Sequence, residues 1–256
     1  MVKKNNLEDI VKVVKKLRNP KNGCPWDIKQ TSKSLSKYTL EEAYEVIEAI
    51  EKGDFSELED ELGDLLLQVI YHSVIAEEKK KFTINKVIEK SIKKMTIRHP
   101  HIFLKDNSIK SIEDVNDFWE YQKKIERKKK GSNSILDGVS TSLPAVTRSL
   151  KLQKRAAKEG FDWNNAKDTL KKVKEELSEL TIEINNNRKN KIREELGDLF
   201  FSCINLSRKL GLDTETIIRE SNRKFENRFK KMEKNMNRKK IDWNLKNLEK
   251  EWKKLK

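Results

Sequence analysis

The sequence predicts an all-α protein built as two tandem helical bundles. Three observations carry that prediction. Apolar residues recur at helical spacing along the chain. Only 8 Gly and 4 Pro interrupt 256 residues, and no Pro follows Pro144, so long helices run unobstructed through the second half. The phrase DELGDLLL at 60–67 returns as EELGDLFF at 194–201, the mark of a duplicated unit.

The elements follow in order. The pattern predicts helices over 5–18, 39–51, 55–80, 84–98, 112–129, 144–158, 168–185, 190–210, 214–237 and 245–255. Thr39 precedes Glu42 by three residues and Asp54 precedes Glu57 by three, both at capping-box spacing. Asp168 and Asp213 suit the N-caps of later helices. The Gly- and Ser-rich stretch KGSNSILDGVSTSL at 130–143 divides the chain. The domains are then 1–130 and 144–256, with 131–143 as linker. The halves answer one another in order. GCPWD at 23–27 matches GFDWN at 160–164, EEAYE at 41–45 matches EELSE at 175–179, and DELGD matches EELGD. Lys94 and Arg98 correspond to Lys224 and Arg228, and Trp119 to Trp252.

Composition removes several classes of function. Apolar residues make up 35% and charged residues 39%, yet the helical periodicity argues against disorder. Cys24 and Cys203 lie far apart and form no CxxC pair, which fits a reducing cytoplasm better than a disulfide framework. The N-terminal MVKKNNLEDIVKVVKKL lacks the continuous apolar run of a signal peptide. The longest apolar stretch, LLLQVIYHSVIA, is too short to span a bilayer and carries Gln68 and His72. The net charge of +15 invites a nucleic-acid reading. Lys is spread over the whole chain, however, and the one dense run, RKKK at 127–130, reads as a solvated helix end.

The duplicated acids have a defined geometry. Glu176 and Glu179 share one helix face, and Glu195 and Asp198 share a face of the next. NNNRKN at 185–190 reads as the turn of an αα-hairpin. Glu179 and Glu195 each stand eight residues from Asn187, and Glu176 and Asp198 each stand eleven. Antiparallel packing therefore sets four carboxylates in two facing rungs, about 4.5 Å apart along the helix axis. Glu45 and Glu61 are likewise eight residues from Gly53, and Glu42 and Asp64 eleven. Four such acids do not all stay ionised without a cation. Oxygen-only ligands suit Mg²⁺ or Mn²⁺ rather than zinc. Val173, Leu177, Leu180 and Ile184, with Ile192, Leu196, Leu199 and Cys203, form apolar stripes that should set the acids at the edge of the core. Gly63 and Gly197, each just before the Asp, predict close approach of a neighbouring backbone or a ligand.

A carboxylate-held metal beside cations suits phosphates. Lys224 and Arg228 lie one turn apart, offering a point charge and a planar fork. Trp163 and Trp252 offer stacking platforms for a base, whereas Phe161 reads as core. No GxxxxGK[ST] or GxGxxG loop occurs. His99 and His101 flank Pro100 in RHPH, which reads as a helix-ending turn rather than a zinc pair.

EExxE followed by ExxD on neighbouring helices resembles the all-α nucleoside triphosphate pyrophosphohydrolases. The tandem order of NGCPWD, YTLEEAYEV, ELGDLLLQV, RHPHIF, KLQKRAAKEGFDW and EELGDLFF is similar to the MazG family over nearly the whole chain. The resemblance implies two MazG-like domains and a Mg²⁺-dependent enzyme cutting (d)NTPs to the monophosphate and pyrophosphate, with several bases accepted. It implies that Glu176, Glu179, Glu195 and Asp198 hold the metal and carry catalysis, with Glu42, Glu45, Glu61 and Asp64 as a second candidate site. It implies nucleotide contacts from Lys172, Glu175, Glu194, Lys224, Arg228 and Trp252, catalysis in the C-terminal half, and a homodimer. Lys174 departs from the pattern, since a larger, often aromatic residue is expected there. Two rivals stand beside this reading. One is a pyrophosphatase of the same superfamily specific for one nucleotide, such as dUTP or dCTP, or for a modified base. The other is a non-enzymatic basic helical adaptor or nucleic-acid binder.

Overall fold

The computed structural model describes residues 6–103, 111–129, 131 and 134–255, and the side chains of 127–129 are not among what it describes. The basic run at 127–130 and residues 132–133 of the expected linker thus lie outside the described side chains. Among the described residues there are twelve helices and no strand. The chain divides into Met1–Gln122 and Lys123–Lys256.

The first unit holds α1 (Leu7–Leu17), α2 (Pro25–Lys29), α3 (Ser32–Lys52), α4 (Phe55–Glu78), α5 (Ile84–Arg98), α6 (Pro100–Phe103) and the start of α7 (Ile112–Lys129). Its core forms where Val14 of α1 and Leu35 of α3 meet Ile70, Tyr71, Val74 and Ile75 of α4. The apolar stretch of α4, too short for a bilayer, is therefore this core. No helix among the described residues is long and apolar enough to cross a membrane. Arg18, just past α1, donates to both carboxylate oxygens of Glu78 at 2.8 and 2.7 Å, and to the carbonyls of Asp27 and Gln30. Tyr71 donates its hydroxyl to the buried carboxylate of Asp27 at 2.5 Å. Burial first, and that contact second, raise the phenol well above its usual range.

The second unit holds α8 (Ala145–Lys158), α9 (Ala166–Asn185), α10 (Lys189–Lys209), α11 (Thr214–Lys239) and α12 (Leu245–Lys253). Part of the stretch read as a linker is packed here. Val139 is buried, and Arg155 of α8 donates to the carbonyls of Ile135 and Asp137. These residues belong to the second unit.

Several expected ends shift. Helix α3 begins seven residues before 39, because Thr31 and Ser34 form a reciprocal capping box. Ser at that third helical position is a weaker signal than Glu or Gln. Thr39 lies inside the helix, paired through Oγ1 with His72 Nε2 at 2.8 Å. Asp54 and Asp213 cap α4 and α11 as expected. The cap of α9 is Asn165, whose side chain accepts from the Asp168 amide, so Asp168 is the third helical residue instead. The short helices α2 and α6, each opened by a proline, have too few residues for periodicity to reveal them.

Candidate metal centre and adjoining cavity

Two αα-hairpins carry the acids. Helix α3 turns into α4 at Gly53 (φ 71°), and α9 turns into α10 through Asn187 (φ 52°). Gly and Asn are the residues that adopt this left-handed conformation at least cost. Both hairpins thus pivot on the position from which the rungs were counted. Glu176, Glu179 and Glu195 each offer an oxygen within 4.8 Å of the others, and so do Glu42, Glu45 and Glu61. The fourth acid of each set stands outside this tight group. Asp198 is exposed but close enough to press on Glu195, and Asp64 presses on Glu42.

The crowding is visible in the acids' protonation. Glu195 holds its proton above the ordinary carboxylate range, through desolvation first and then the charges of Glu179, Glu194, Asp198 and Glu176. Glu42 is raised by desolvation and then by Asp64, and Glu61 by desolvation and then by Glu45. Neighbouring negative charges and partial burial both disfavour the ionised form. A hard divalent cation reverses both, and an all-oxygen donor set fits one.

The two clusters differ in their counter-charge. Glu176 is buried, with an ion pair to Lys172 at 2.8 Å. Lys172 also meets Glu175 at 2.7 Å, and the two carboxylates, Glu175 first, hold its ammonium protonated. Tyr38 stands at the same place in the first repeat. There Glu42 instead accepts from the amide of Gln68 at 3.4 Å. Glu194 is exposed and tied to Lys191 at 2.7 Å.

Two expectations about the surroundings are corrected. A Cβ built on Gly63 or Gly197 meets no atom within 4 Å, so no backbone of this chain presses on either glycine. The apolar stripes beside the acids are only partly covered. Leu180 is buried, but Leu177, Ile184 and Leu196 are exposed. Helices α9 and α10 pack on each other, and α8 and α11 cover only part of what remains.

A cavity of about 690 Å³ adjoins the C-terminal acids, and Lys172, Glu176 and Asp198 are in its wall. Leu152, Ala156, Phe201 and Trp163 make it largely apolar, and Gln153, Ser202, Asn205 and Arg208 add polar groups. Phe161, expected in the core, is 84% exposed and stands at this cavity. Gly160 before it takes a left-handed φ of 91° as the chain leaves α8, which turns Phe161 outward. Asp162 is gripped by Arg208 and by Lys209 at 3.1 Å, and Arg208, first of these, holds its carboxyl below the usual range.

Lys224, Arg228 and Trp252 are not in the cavity wall. Arg228 lies over the Trp252 ring, 4.0 Å from its centre, and donates to the Trp252 carbonyl at 2.5 Å. Trp252 also packs on Phe225, so this is an aromatic cluster of α11 and α12. Lys224 and Lys174 are exposed. In the first unit, the Trp119 indole donates to the Arg98 carbonyl at 3.0 Å, a parallel pairing. His99 closes α5, with Nδ1 2.7 Å from the Met95 carbonyl, and neither His99 nor His101 joins a metal-competent group among the described residues. Sequence reasoning gave no role to Gln153, Asn205, Asp162 or Arg208. The quoted KLQKRAAKEGFDW contains two of them, but polar residues in a polar chain carry no signal until the walls are assembled.

The MazG nucleotide pyrophosphohydrolase domain family matches the chain twice, at residues 30–103 and 164–233. The chain is 41% identical over 231 residues to the nucleoside triphosphate pyrophosphohydrolase of Escherichia coli K12, covering 90% of this chain and 88% of that one. It is 42% identical over 229 residues to the nucleoside triphosphate pyrophosphohydrolase/pyrophosphatase MazG of Thermotoga maritima, covering 89% and 85%. Two copies of the domain, and relatives matched over nearly their whole length, agree with the duplicated acidic hairpins, and the chain belongs to the MazG nucleotide pyrophosphohydrolase family.

Proposed function

We propose that the chain hydrolyses ribo- and deoxyribonucleoside triphosphates of several bases to the monophosphate and pyrophosphate, using Mg²⁺ or, as a substitute, Mn²⁺. The observation that carries this reading is the shared wall. Glu176 and Asp198 border both the acidic cluster and an apolar cavity of nucleoside scale. The relatives' names point to the same substrates. Glu176, Glu179, Glu195 and Asp198 would hold the metal, and Glu42, Glu45, Glu61 and Asp64 form a second candidate site. When bound, the ion would neutralise phosphate charge and make a water easier to deprotonate.

The chain's own groups supply the rest. Lys172, already shared between Glu175 and Glu176, sits where its ammonium can swing to a phosphate oxygen. Trp163 and Phe161 line the cavity, where an aromatic ring can stack on a base of any identity. A carboxylate of the cluster takes the proton of the attacking water. The water's oxygen bonds to phosphorus, the α–β anhydride bond breaks, and pyrophosphate departs. Glu194, Lys224, Arg228 and Trp252 lie outside the cavity wall, and a nucleotide contact from any of them would be to the part of the substrate that extends beyond it. The exposed Leu177, Ile184 and Leu196 suit a homodimer, which light scattering reads directly. The free Cys24 and Cys203 suit a reducing cytoplasm.

A panel of eight ribo- and deoxyribonucleoside triphosphates, with and without Mg²⁺, tests the reading through released pyrophosphate. Release from several bases that stops with EDTA is expected. Release from one nucleotide only would favour the specialised enzyme. No release, with salt-sensitive binding of RNA or DNA that ignores Mg²⁺, would favour the nucleic-acid binder.

A further inference from the structure

The cavity beside Glu176 contains a polar pair that neither the acids nor the apolar walls explain. Gln153 of α8 is 6% exposed and lines the cavity. Its Nε2 donates to the Phe201 carbonyl at 2.8 Å. Turning the amide over would set oxygen against oxygen, so the orientation is fixed by its partner. The other end, Oε1, is buried with no hydrogen-bond partner. A buried acceptor left unpaired is costly and calls for an explanation.

Asn205 supplies the opposite polarity. Its Oδ1 accepts from Arg208 Nε at 2.9 Å and Nη2 at 2.8 Å. Arg208 is itself held by Asp162. The Asn205 amide nitrogen is therefore the end available to the cavity, as a donor. Phe201 and Asn205 are one turn apart on α10, so the carbonyl that anchors Gln153 lies beside the turn that carries Asn205. Asn205 follows Asp198 by seven residues, about 10 Å along the helix. That is the reach of a nucleoside whose phosphates lie at the acids.

Resting on the proposed function, we infer that Gln153 and Asn205 grade the incoming base by its exocyclic group. The exocyclic substituent is the part of a base farthest from the sugar, so it enters deepest and is placed against the buried Gln153 Oε1. An amino group there donates to that oxygen, and the adjacent ring nitrogen accepts from Asn205 Nδ2. Adenine and cytosine offer that pair. Guanine, uracil and thymine place a carbonyl oxygen against the Gln153 oxygen. The apolar walls still admit every base, so the pair sets relative rates among substrates.

The test compares kcat/KM of the full chain, by pyrophosphate release with Mg²⁺, for ATP, purine riboside triphosphate (the same ring without the amino group) and ITP (a carbonyl in its place). Loss of the amino group should lower kcat/KM about tenfold, and the carbonyl up to about a hundredfold. Gln153→Met, of similar volume but without the acceptor, should bring the ATP-to-ITP ratio toward one. The wild-type comparison stands alone should that variant fail to fold. Rates within about twofold across the three nucleotides, or ITP preferred, overturn the inference and leave the proposed function intact. Release from no nucleotide would sink the proposed function and the inference with it.

Discussion

Asp198→Asn is expected to lower pyrophosphate release about a hundredfold or more, with the helices unchanged. The side chain is exposed and stands in the cavity wall beside Glu176. Asn is close in shape but carries no charge, so the substitution removes the carboxylate proposed to help hold a hard cation without opening a cavity. Even residues one step behind a metal ligand cost about 10–100-fold when replaced. Stability should hold or rise slightly, because one of the charges raising the Glu195 carboxyl has gone. A circular dichroism melt beside the rate measurement separates the two effects. Asp64→Asn is the matched variant in the first repeat, and its residual rate reports what the N-terminal cluster contributes. An Asp198→Asn enzyme that releases pyrophosphate at the wild-type rate would remove Asp198 from the chemistry.

Arg18→Met should destabilise the first unit by about 2–4 kcal/mol, a fall on the order of 10 °C in its melting temperature. Arg18 ties three segments together. It holds Glu78 at the end of α4 with two hydrogen bonds and caps the carbonyls of Asp27 and Gln30 on either side of the end of α2. Its own side chain is 6% exposed, whereas that of Glu78 is 42% exposed. Losing the ion pair therefore costs little by itself, since Glu78 is solvated. The larger loss is at the carbonyls, which keep their burial and lose a charged donor. Met keeps the stem's packing, so the experiment isolates the polar head. An unchanged melt would mean that water replaces the guanidinium at both carbonyls.

The parts of the structure that were legible from sequence are those fixed by spacing along one helix or across one turn. Counting outward from Gly53 and Asn187 predicts four facing acids in each hairpin, and three of each four bring an oxygen within 4.8 Å of one another, because an αα-hairpin with a short turn leaves one register. Helix α5 spans the 84–98 that clear periodicity predicts. The spacing places the start of α3 too late because the N-cap Thr31 is answered by Ser34, and Ser at that position is a weak signal. Phe161 reads as core from its type alone, and only the turn at Gly160 reveals that it points outward. The cavity was not legible at all. Its wall joins Leu136, α8, the loop around Trp163, α9 and α10, and no linear pattern links Gln153 to Asn205, 52 positions later. The resemblance supplied Lys224, Arg228 and Trp252 as nucleotide contacts, and the structure gathers the last two into a packed pair outside the cavity.

The central claim is that opposed acids of one helical hairpin hold a divalent cation for cutting a nucleotide's phosphates. Its most direct measurement is an anomalous-scattering map from crystals of the full chain grown with Mn²⁺ and a non-hydrolysable nucleoside triphosphate. Mn²⁺ is expected between α9 and α10, bound by oxygens of Glu176, Glu179, Glu195 and Asp198, with phosphate oxygens completing its shell. Nucleotide bound elsewhere on the chain, with no Mn²⁺ peak at those four carboxylates, would contradict it.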